Sequence, residues 1–184
     1  MSELFSIQLQ NQQQSRDGVW LDLPTTTEQV QAALRQIGIS SDNPQGLFIS
    51  GYFAEEEKRF AIPYNMVLAS NVDELNFLAS RLETLSTGER AELNAALQAP
   101  QSELFSIGRI TDFPENVDYY VHLPDVHGPA QLGDYYLNRS GMVDMPEEWK
   151  GGIDTAQFGR YVAQQEQGAF TQYGYLVKSG DEWQ

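Results

Sequence analysis

The residue types that most often carry catalysis or bind metals are scarce in this sequence. It contains two histidines, His122 and His127, and no cysteine. Asp125 lies between the two histidines, and together the three side chains could suggest a metal site. However, Pro124 and Gly128 disfavour a helix here, so the imidazoles would not share a face as metal ligands on a helix do. We therefore interpret both histidines as polar loop residues, and we predict no metal and no cofactor.

Paired carboxylates are the remaining candidates for acid–base chemistry. Glu147 and Glu148 are adjacent, but neighbouring acids arise by chance in a chain with so many of them. The segment GPAQLG at residues 128–133 lacks the Lys-Ser or Lys-Thr ending of a phosphate-binding loop. A hydrolase that uses paired carboxylates is therefore the weaker interpretation, and we expect no catalytic residue.

The acidic residues are more informative as a group. The 184 residues include 26 Asp and Glu against 11 Lys and Arg, which gives a formal net charge of −15. The net charge is −4 over residues 1–60, −3 over 61–100 and −8 over 101–184, so the excess is spread along the chain. Such a chain repels nucleic acid and anionic membranes and attracts basic surfaces. The same charge could also serve solubility alone.

Alternating apolar residues predict a three-stranded sheet in the first 60 residues. Phe5, Ile7 and Leu9 fall on one side of the first strand, and residues 19–24 and 47–53 supply the other two.

A helix is predicted between the second and third strands. Thr25 and Glu28 form a Thr-x-x-Glu capping box at its start, and Gly38 is placed to end it.

The hexapeptide SELFSI occurs twice, at residues 2–7 and 102–107. The first copy belongs to the first predicted strand. The second follows Pro100, and Ser102 could act as the N-cap of a new helix with Glu103 at its positive end, so we predict a short helix there. The sequences around the two copies are unrelated, so the repeat does not indicate a duplicated domain.

The remaining periodicity predicts a helical middle and a mixed C-terminal part. Helices are predicted at residues 71–85, 88–98, 129–140, 145–149 and 153–166, and strands at residues 116–124 and on both sides of Gly174 within residues 168–177.

The order of these segments resembles the ArdA antirestriction family. The segments that carry the resemblance run almost from end to end, and the last four in this order are the most specific. They are GVWLDLP (18–24), LFISGYF (47–53), DELNFLASRL (73–82), NVDYYVHLPDV (116–126), LGDYYLNRSG (132–141), MPEEW (145–149), IDTAQFGRYV (153–162) and GAFTQYGYL (168–176).

The resemblance implies an α+β fold made of three small domains in an elongated chain. These would be an N-terminal α+β domain (1–60), a helical middle domain (61–112) and a C-terminal α+β domain (113–184) that carries the dimer contact. It also implies a non-catalytic protein of mobile genetic elements whose acidic surface imitates bent DNA and occupies the DNA-binding groove of type I restriction–modification enzymes. The antirestriction segment would fall on residues 132–149.

We expect the DNA-like surface to be distributed over acids that are predicted to face solvent. The candidates are Glu55, Glu56, Glu57, Asp73, Glu74, Glu83, Glu89, Glu92, Asp112, Glu115, Asp118, Asp125, Asp134, Glu147 and Glu148.

The candidate homodimer contact is an aromatic and methionine-rich stretch, because Tyr, Trp and Met are enriched at interface cores. Its candidate residues are Tyr135, Tyr136, Met142, Met145 and Trp149. Packing inside the C-terminal domain is the alternative role for each of them.

The partners we expect are a type I restriction–modification enzyme and a second copy of the chain, with no nucleic acid and no membrane. No basic stretch followed by an apolar one begins the sequence, which predicts a cytoplasmic protein. An acidic adaptor that binds another basic DNA-binding protein or regulator is the alternative function.

Overall fold

The computed structural model describes residues 3–13, 17–40 and 43–184 as a mixed α+β protein. They form two compact units, which we call the N-terminal unit (Met1–Ser86 and Leu104–Pro114) and the C-terminal unit (Thr87–Glu103 and Glu115–Gln184). The three-domain division at residues 60 and 112 stays a prediction. Parts of the first SELFSI copy and of the loops after the first strand and the first helix lie outside the described residues.

The predicted α+β class is confirmed, since helices and two three-stranded antiparallel sheets share the chain. The strands are β1 (Phe5–Asn11), β2 (Val19–Leu23), β3 (Leu47–Phe53), β4 (Tyr120–Leu123), β5 (Ala169–Thr171) and β6 (Gly174–Lys178). The α-helices of the described residues are α1 (Thr27–Gln36), α2 (Tyr64–Leu68), α3 (Val72–Glu83), α4 (Thr87–Gln98), α5 (Ile107–Thr111), α6 (Pro129–Asp134), α7 (Glu147–Lys150) and α8 (Thr155–Glu166). Within these residues, no helix has the length and apolar character needed to cross a membrane.

The sheet of the N-terminal unit has the strand order β2-β1-β3. Phe5, Ile7 and Leu9 on β1 are buried while the residues between them are half-buried, which confirms the predicted alternation. One face of an antiparallel sheet packs on the core and the other faces water, so this pattern leaves the opposite face of the sheet open.

Helix α1 begins one residue later than the capping box predicted. The N-cap is Thr26, and its partner in the box is Gln29 rather than Glu28. Thr25 is held elsewhere, because its backbone N–H donates to Asn76 Oδ1 at 2.7 Å and its carbonyl accepts from Asn76 Nδ2 at 3.0 Å. A contact with a residue 51 positions away therefore decides between two sequence-equivalent threonines. Gly38 ends the helix at φ +72°, as predicted.

The predicted helix over the second SELFSI copy is wrong. Helix α5 begins only at the last residue of the copy, and its N-cap is Ser106, whose hydroxyl accepts from the Arg109 N–H at 3.3 Å, not Ser102. Two of the residues before it make tertiary contacts instead of helical ones. The Glu103 N–H donates to the Tyr120 hydroxyl at 3.2 Å, and the Leu104 side chain is buried.

In the C-terminal unit, a sheet of order β4-β6-β5 shares a hydrophobic core with helices α6 and α8. Its core contains Val126, Leu132 and Tyr175. The two helices approach closely because each has a glycine where they meet. A Cβ on Gly133 would lie 1.9 Å from the Thr155 carbonyl oxygen.

The same restriction applies from the other helix. A Cβ on Gly159 would lie 1.8 Å from the Pro129 carbonyl oxygen. After α6 the chain continues as a π-helix (Tyr135–Arg139), in which the Ser140 N–H donates to the Tyr135 carbonyl at 2.8 Å. The predicted helix at residues 129–140 is therefore an α-helix followed by a π-helical turn.

Candidate functional site

The acidic residues proposed for the DNA-like surface lie on exposed parts of both units. Of the fifteen candidates, eleven are exposed, four are half-buried and none is buried. The half-buried ones are Glu83, Glu89, Glu92 and Asp134. Two of the exposed ones, Asp73 and Glu74, occupy the first turn of α3, where the helix dipole favours negative charge.

Local ion pairs reduce the net charge at three candidates. Glu55 pairs with Lys58 at 3.1 Å, Asp134 with Arg139 at 3.2 Å, and Glu147 with Lys150 at 3.0 Å. In each pair the carboxylate side chain is about half exposed or more, so solvent screens the interaction strongly. These carboxylates can therefore exchange their own cation for one on a partner at small cost.

Glu92 differs from the other candidates in its charge. It lies on α4, and its Oε1 atom is buried without a hydrogen-bond partner. Burial, followed by the negative charges of Glu89 and Asp118, raises its pKa from 4.5 to about 7. Near neutral pH it therefore carries only part of a negative charge, which makes it the weakest member of the set.

A cavity of about 460 Å³ lies in the C-terminal unit, between the end of α4, the last turn of α8 and the strands β5 and β6. Of the described residues that line it, only Glu166 is acidic. Both of its carboxylate oxygens are engaged, because Tyr136 donates to Oε1 at 2.5 Å and Tyr175 donates to Oε2 at 3.0 Å. A pair of converging acids, which a carboxylate-based hydrolase requires, is not present among these lining residues.

This carboxylate and its two phenols form a partly buried polar cluster that the sequence did not reveal. Desolvation, together with the charge of Glu166, raises the pKa of both tyrosines. Gly168 leaves room for the contact, since a Cβ there would lie 1.9 Å from the Tyr175 hydroxyl. The cluster joins the π-helix, the end of α8 and β6, which is a structural role.

The interpretation of both histidines as loop residues is wrong for His122, which lies in strand β4 and pairs with Leu176 of β6. Nε2 of His122 lies 2.7 Å from the Tyr173 carbonyl oxygen and donates to it, while His127 is exposed in the turn before α6. Throughout the described part of the chain, no group of three or more His, Asp or Glu residues is placed to hold a metal ion.

Comparison with known families decides the identity of the chain. The model of the family described as "Antirestriction protein (ArdA)" matches residues 13–177 of the 184. The chain belongs to the ArdA family. This membership implies an antirestriction function and a restriction enzyme as partner, and ArdA proteins are inhibitors rather than enzymes. No curated protein sequence shows a significant match to the chain.

The segment predicted to carry the antirestriction function, residues 132–149, divides between core and surface. Tyr135 and Tyr136 pack against the core of the C-terminal unit and contact each other edge to face, with ring centroids 5.5 Å apart. Met145 is half-buried, whereas Met142 and Trp149 are 73% and 67% exposed. Of the residues predicted to form the ArdA dimer contact, the last two are the best placed to meet another molecule.

Sequence reasoning gave no surface role to Trp20, which is one of several exposed aromatic residues of this ArdA chain. Trp20 was assigned to a strand, yet its side chain is 49% exposed. A signal was available: in the alternating strand VWLDL, Trp20 and Asp22 fall on the side opposite to Leu21 and Leu23.

Proposed function

We propose that this ArdA-family protein inhibits type I restriction–modification enzymes by presenting carboxylates to the groove in which they bind DNA. The exposure of the acids supports this, since eleven of the fifteen candidates face solvent. Duplex DNA offers one phosphate per about 1.7 Å of its axis, and a groove lined with cations attracts any dense negative array. The proposal places the action in the cytoplasm.

A folded acidic surface has an advantage over a flexible acidic tail. Asp73 and Glu74 follow the N-cap Asn71, whose Oδ1 accepts from the Glu74 N–H at 2.9 Å, so the backbone beneath these carboxylates is ordered. Binding then immobilises fewer groups and costs less conformational entropy.

We also propose that the protein forms a homodimer through the C-terminal unit. Met142 and Trp149 support this, because large exposed apolar side chains in a strongly acidic chain favour contact with another protein surface. A second copy of the chain is the partner we expect for them.

The central experiment is competition between this protein and duplex DNA for a type I enzyme. A triple variant, Glu56→Gln, Glu57→Gln and Glu74→Gln, removes three exposed charges, and the matched triple Glu→Asp variant keeps them. Each exposed ion pair is worth about 0–1 kcal/mol, so each charge lost should weaken competition less than about tenfold and the losses should accumulate. The Glu→Asp variant should compete almost as the unmodified protein does.

Two outcomes would contradict the proposal. One folded single variant that abolished inhibition, while block variants elsewhere had no effect, would indicate a localised site instead of a distributed surface. If the protein failed to compete with DNA for type I enzymes but bound another basic DNA-binding protein, the adaptor function would replace it.

A further inference from the structure

The open face of the N-terminal sheet carries two rows of side chains whose positions follow from the strand register. In one row, Ser6 on β1 pairs with Asp22 on β2 and with Phe53 on β3. In the next row, Gln8 on β1 pairs with Trp20 on β2 and with Gly51 on β3. The rows are about 7 Å apart, which is two residues along a strand. Trp20 and Asp22 therefore lie side by side on the same face of β2.

The indole of Trp20 crosses the sheet rather than projecting away from it. A Cβ on Gly51 would lie 3.0 Å from Cη2 of Trp20, although Trp20 is on β2 and Gly51 is on β3. Strands are about 4.8 Å apart, so the ring must run across β1 at Gln8 to reach that far. The absence of a side chain at Gly51 makes room for the ring, while 49% of the Trp20 side chain stays exposed.

The carboxylate beside this ring is oriented and open to solvent. The Ser6 hydroxyl donates to Oδ1 of Asp22 at 2.6 Å, and Asp22 is exposed. An ionised carboxylate has about four acceptor positions, so this bond leaves room for a further donor. Asp22 is also the one charged residue in the three strands, all of which are described.

We propose that this face binds an arginine side chain of the protein's macromolecular partner, with the guanidinium stacked on Trp20 and hydrogen-bonded to Asp22. We call the set Trp20, Asp22, Ser6, Gln8 and Phe53 the arginine patch. Phe53, 55% exposed, lies on the other side of Ser6 and adds a second apolar wall.

The chemistry favours arginine over other cations. A guanidinium is planar and weakly hydrated, so it stacks on an aromatic face and donates sideways to a carboxylate at the same time. An ammonium is compact and strongly hydrated and does neither as well. Asp22 lies one row, or about 7 Å, from Trp20, which is close enough for one guanidinium to stack on the ring and donate to the carboxylate.

The contact would add selectivity that charge alone lacks. Salt screens attraction between exposed charges over about 8–10 Å, whereas ring stacking depends little on salt. That the partner is a restriction enzyme rests on the function proposed above, but the preference of the arginine patch for arginine does not.

The first test follows the three tryptophan indole N–H signals by NMR while hexa-arginine or hexa-lysine peptide is added to the full chain. The Trp20 signal is identified by its loss in Trp20→Phe. It should move with hexa-arginine at a concentration about three- to tenfold lower than with hexa-lysine. Asp22→Asn should remove most of this difference, while Asp17→Asn, a matched loss of one exposed charge, should retain it.

Several results would overturn the proposal. These are equal responses to the two peptides, equal effects of Asp22→Asn and Asp17→Asn, and a Trp20 signal that does not move. A Trp20 signal that changes with protein concentration in the absence of peptide would assign the face to self-association and would also overturn it.

The second test measures how much the arginine patch contributes when the protein competes with DNA for a type I enzyme. Trp20→Leu should lower inhibitory potency by about 2- to 30-fold, the range of cation–π contacts, while the variant remains folded under the conditions of the assay. If Trp20→Leu inhibits as well as the unmodified protein while the charge-block variant is weakened, the patch is refuted and the proposed function stands. If the unmodified protein does not compete with DNA, the proposed function fails. The peptide titration still tests whether the arginine patch prefers arginine to lysine.

Discussion

Replacing Glu92 with glutamine should stabilise the protein at high pH and have little effect at low pH. The carboxyl lies on α4, its Oε1 atom is buried without a hydrogen-bond partner, and its pKa in the fold is about 7 against an ordinary 4.5. Because the folded protein holds this proton more tightly than the unfolded chain, the stability that the proton contributes is complete below about pH 4.5. It is lost as the pH rises to about 7.

The size of the effect follows from that rise in pKa. A difference of about 2.5 pKa units, at about 1.36 kcal/mol each, sets a ceiling of about 3 kcal/mol. Because Glu92 is only half-buried, solvent screening lowers the expected value to about 1–2 kcal/mol. Glutamine has nearly the same shape and no charge, so above pH 7 the free energy of unfolding of Glu92→Gln should exceed that of the unmodified protein by this amount.

The measurement is chemical denaturation at pH 5 and pH 8 of the unmodified protein, Glu92→Gln and the control Glu148→Gln. Glu148 is exposed and belongs to the same unit, so its loss of charge should change the free energy of unfolding by less than about 0.5 kcal/mol at both pH values. If Glu92→Gln changes stability equally at pH 5 and pH 8, the buried carboxyl does not titrate as its surroundings require, and the reasoning is refuted.

Three further predictions concern binding, packing and assembly. Raising the salt concentration should weaken competition with DNA, measured by gel shift, and an affinity independent of salt would oppose charge-led binding. Gly133→Ala and Gly159→Ala should each lower the free energy of unfolding, measured by thermal denaturation, by more than about 2 kcal/mol, because the added carbon would overlap a carbonyl oxygen. Gly88→Ala is the control: its added carbon meets nothing within 4 Å, so it should not destabilise α4. By sedimentation the protein should be dimeric at tens of micromolar, and Met142→Glu with Trp149→Glu should make it monomeric; a monomeric unmodified protein would contradict the proposed interface.

Much of the secondary structure was predictable because local patterns coincide with tertiary burial. Helix α3 is a clear example: Leu75, Leu78 and Leu82, spaced for one helical face, are all fully buried, and Asn71 caps the helix. The first strand alternates as its apolar residues require.

Errors arose where two local solutions were nearly equal in energy. Thr25 and Thr26 are both good caps, and the choice between them depends on the hydrogen bonds of Asn76. Ser102 and Ser106 pose the same problem, and the helix begins after the second, with Leu104 buried in the segment between them.

Some features of the candidate site also depend on the sequence alone, and others depend on the tertiary structure. The sequence by itself determined the net charge of −15, the absence of cysteine and the ArdA motifs, because these depend only on which residues are present and in what order. It also implied that most of the acids face water, since an unpaired charge is costly to bury.

The tertiary structure alone decided which groups keep their ordinary chemistry. Glu92 loses part of its charge because burial near Asp118, 26 residues later, disfavours the ionised form. Trp20 becomes an exposed platform because Gly51, on a strand that is not its neighbour, leaves space for the ring. Desolvation and contact depend on residues distant in sequence, and a local pattern contains no information about which distant residues will meet.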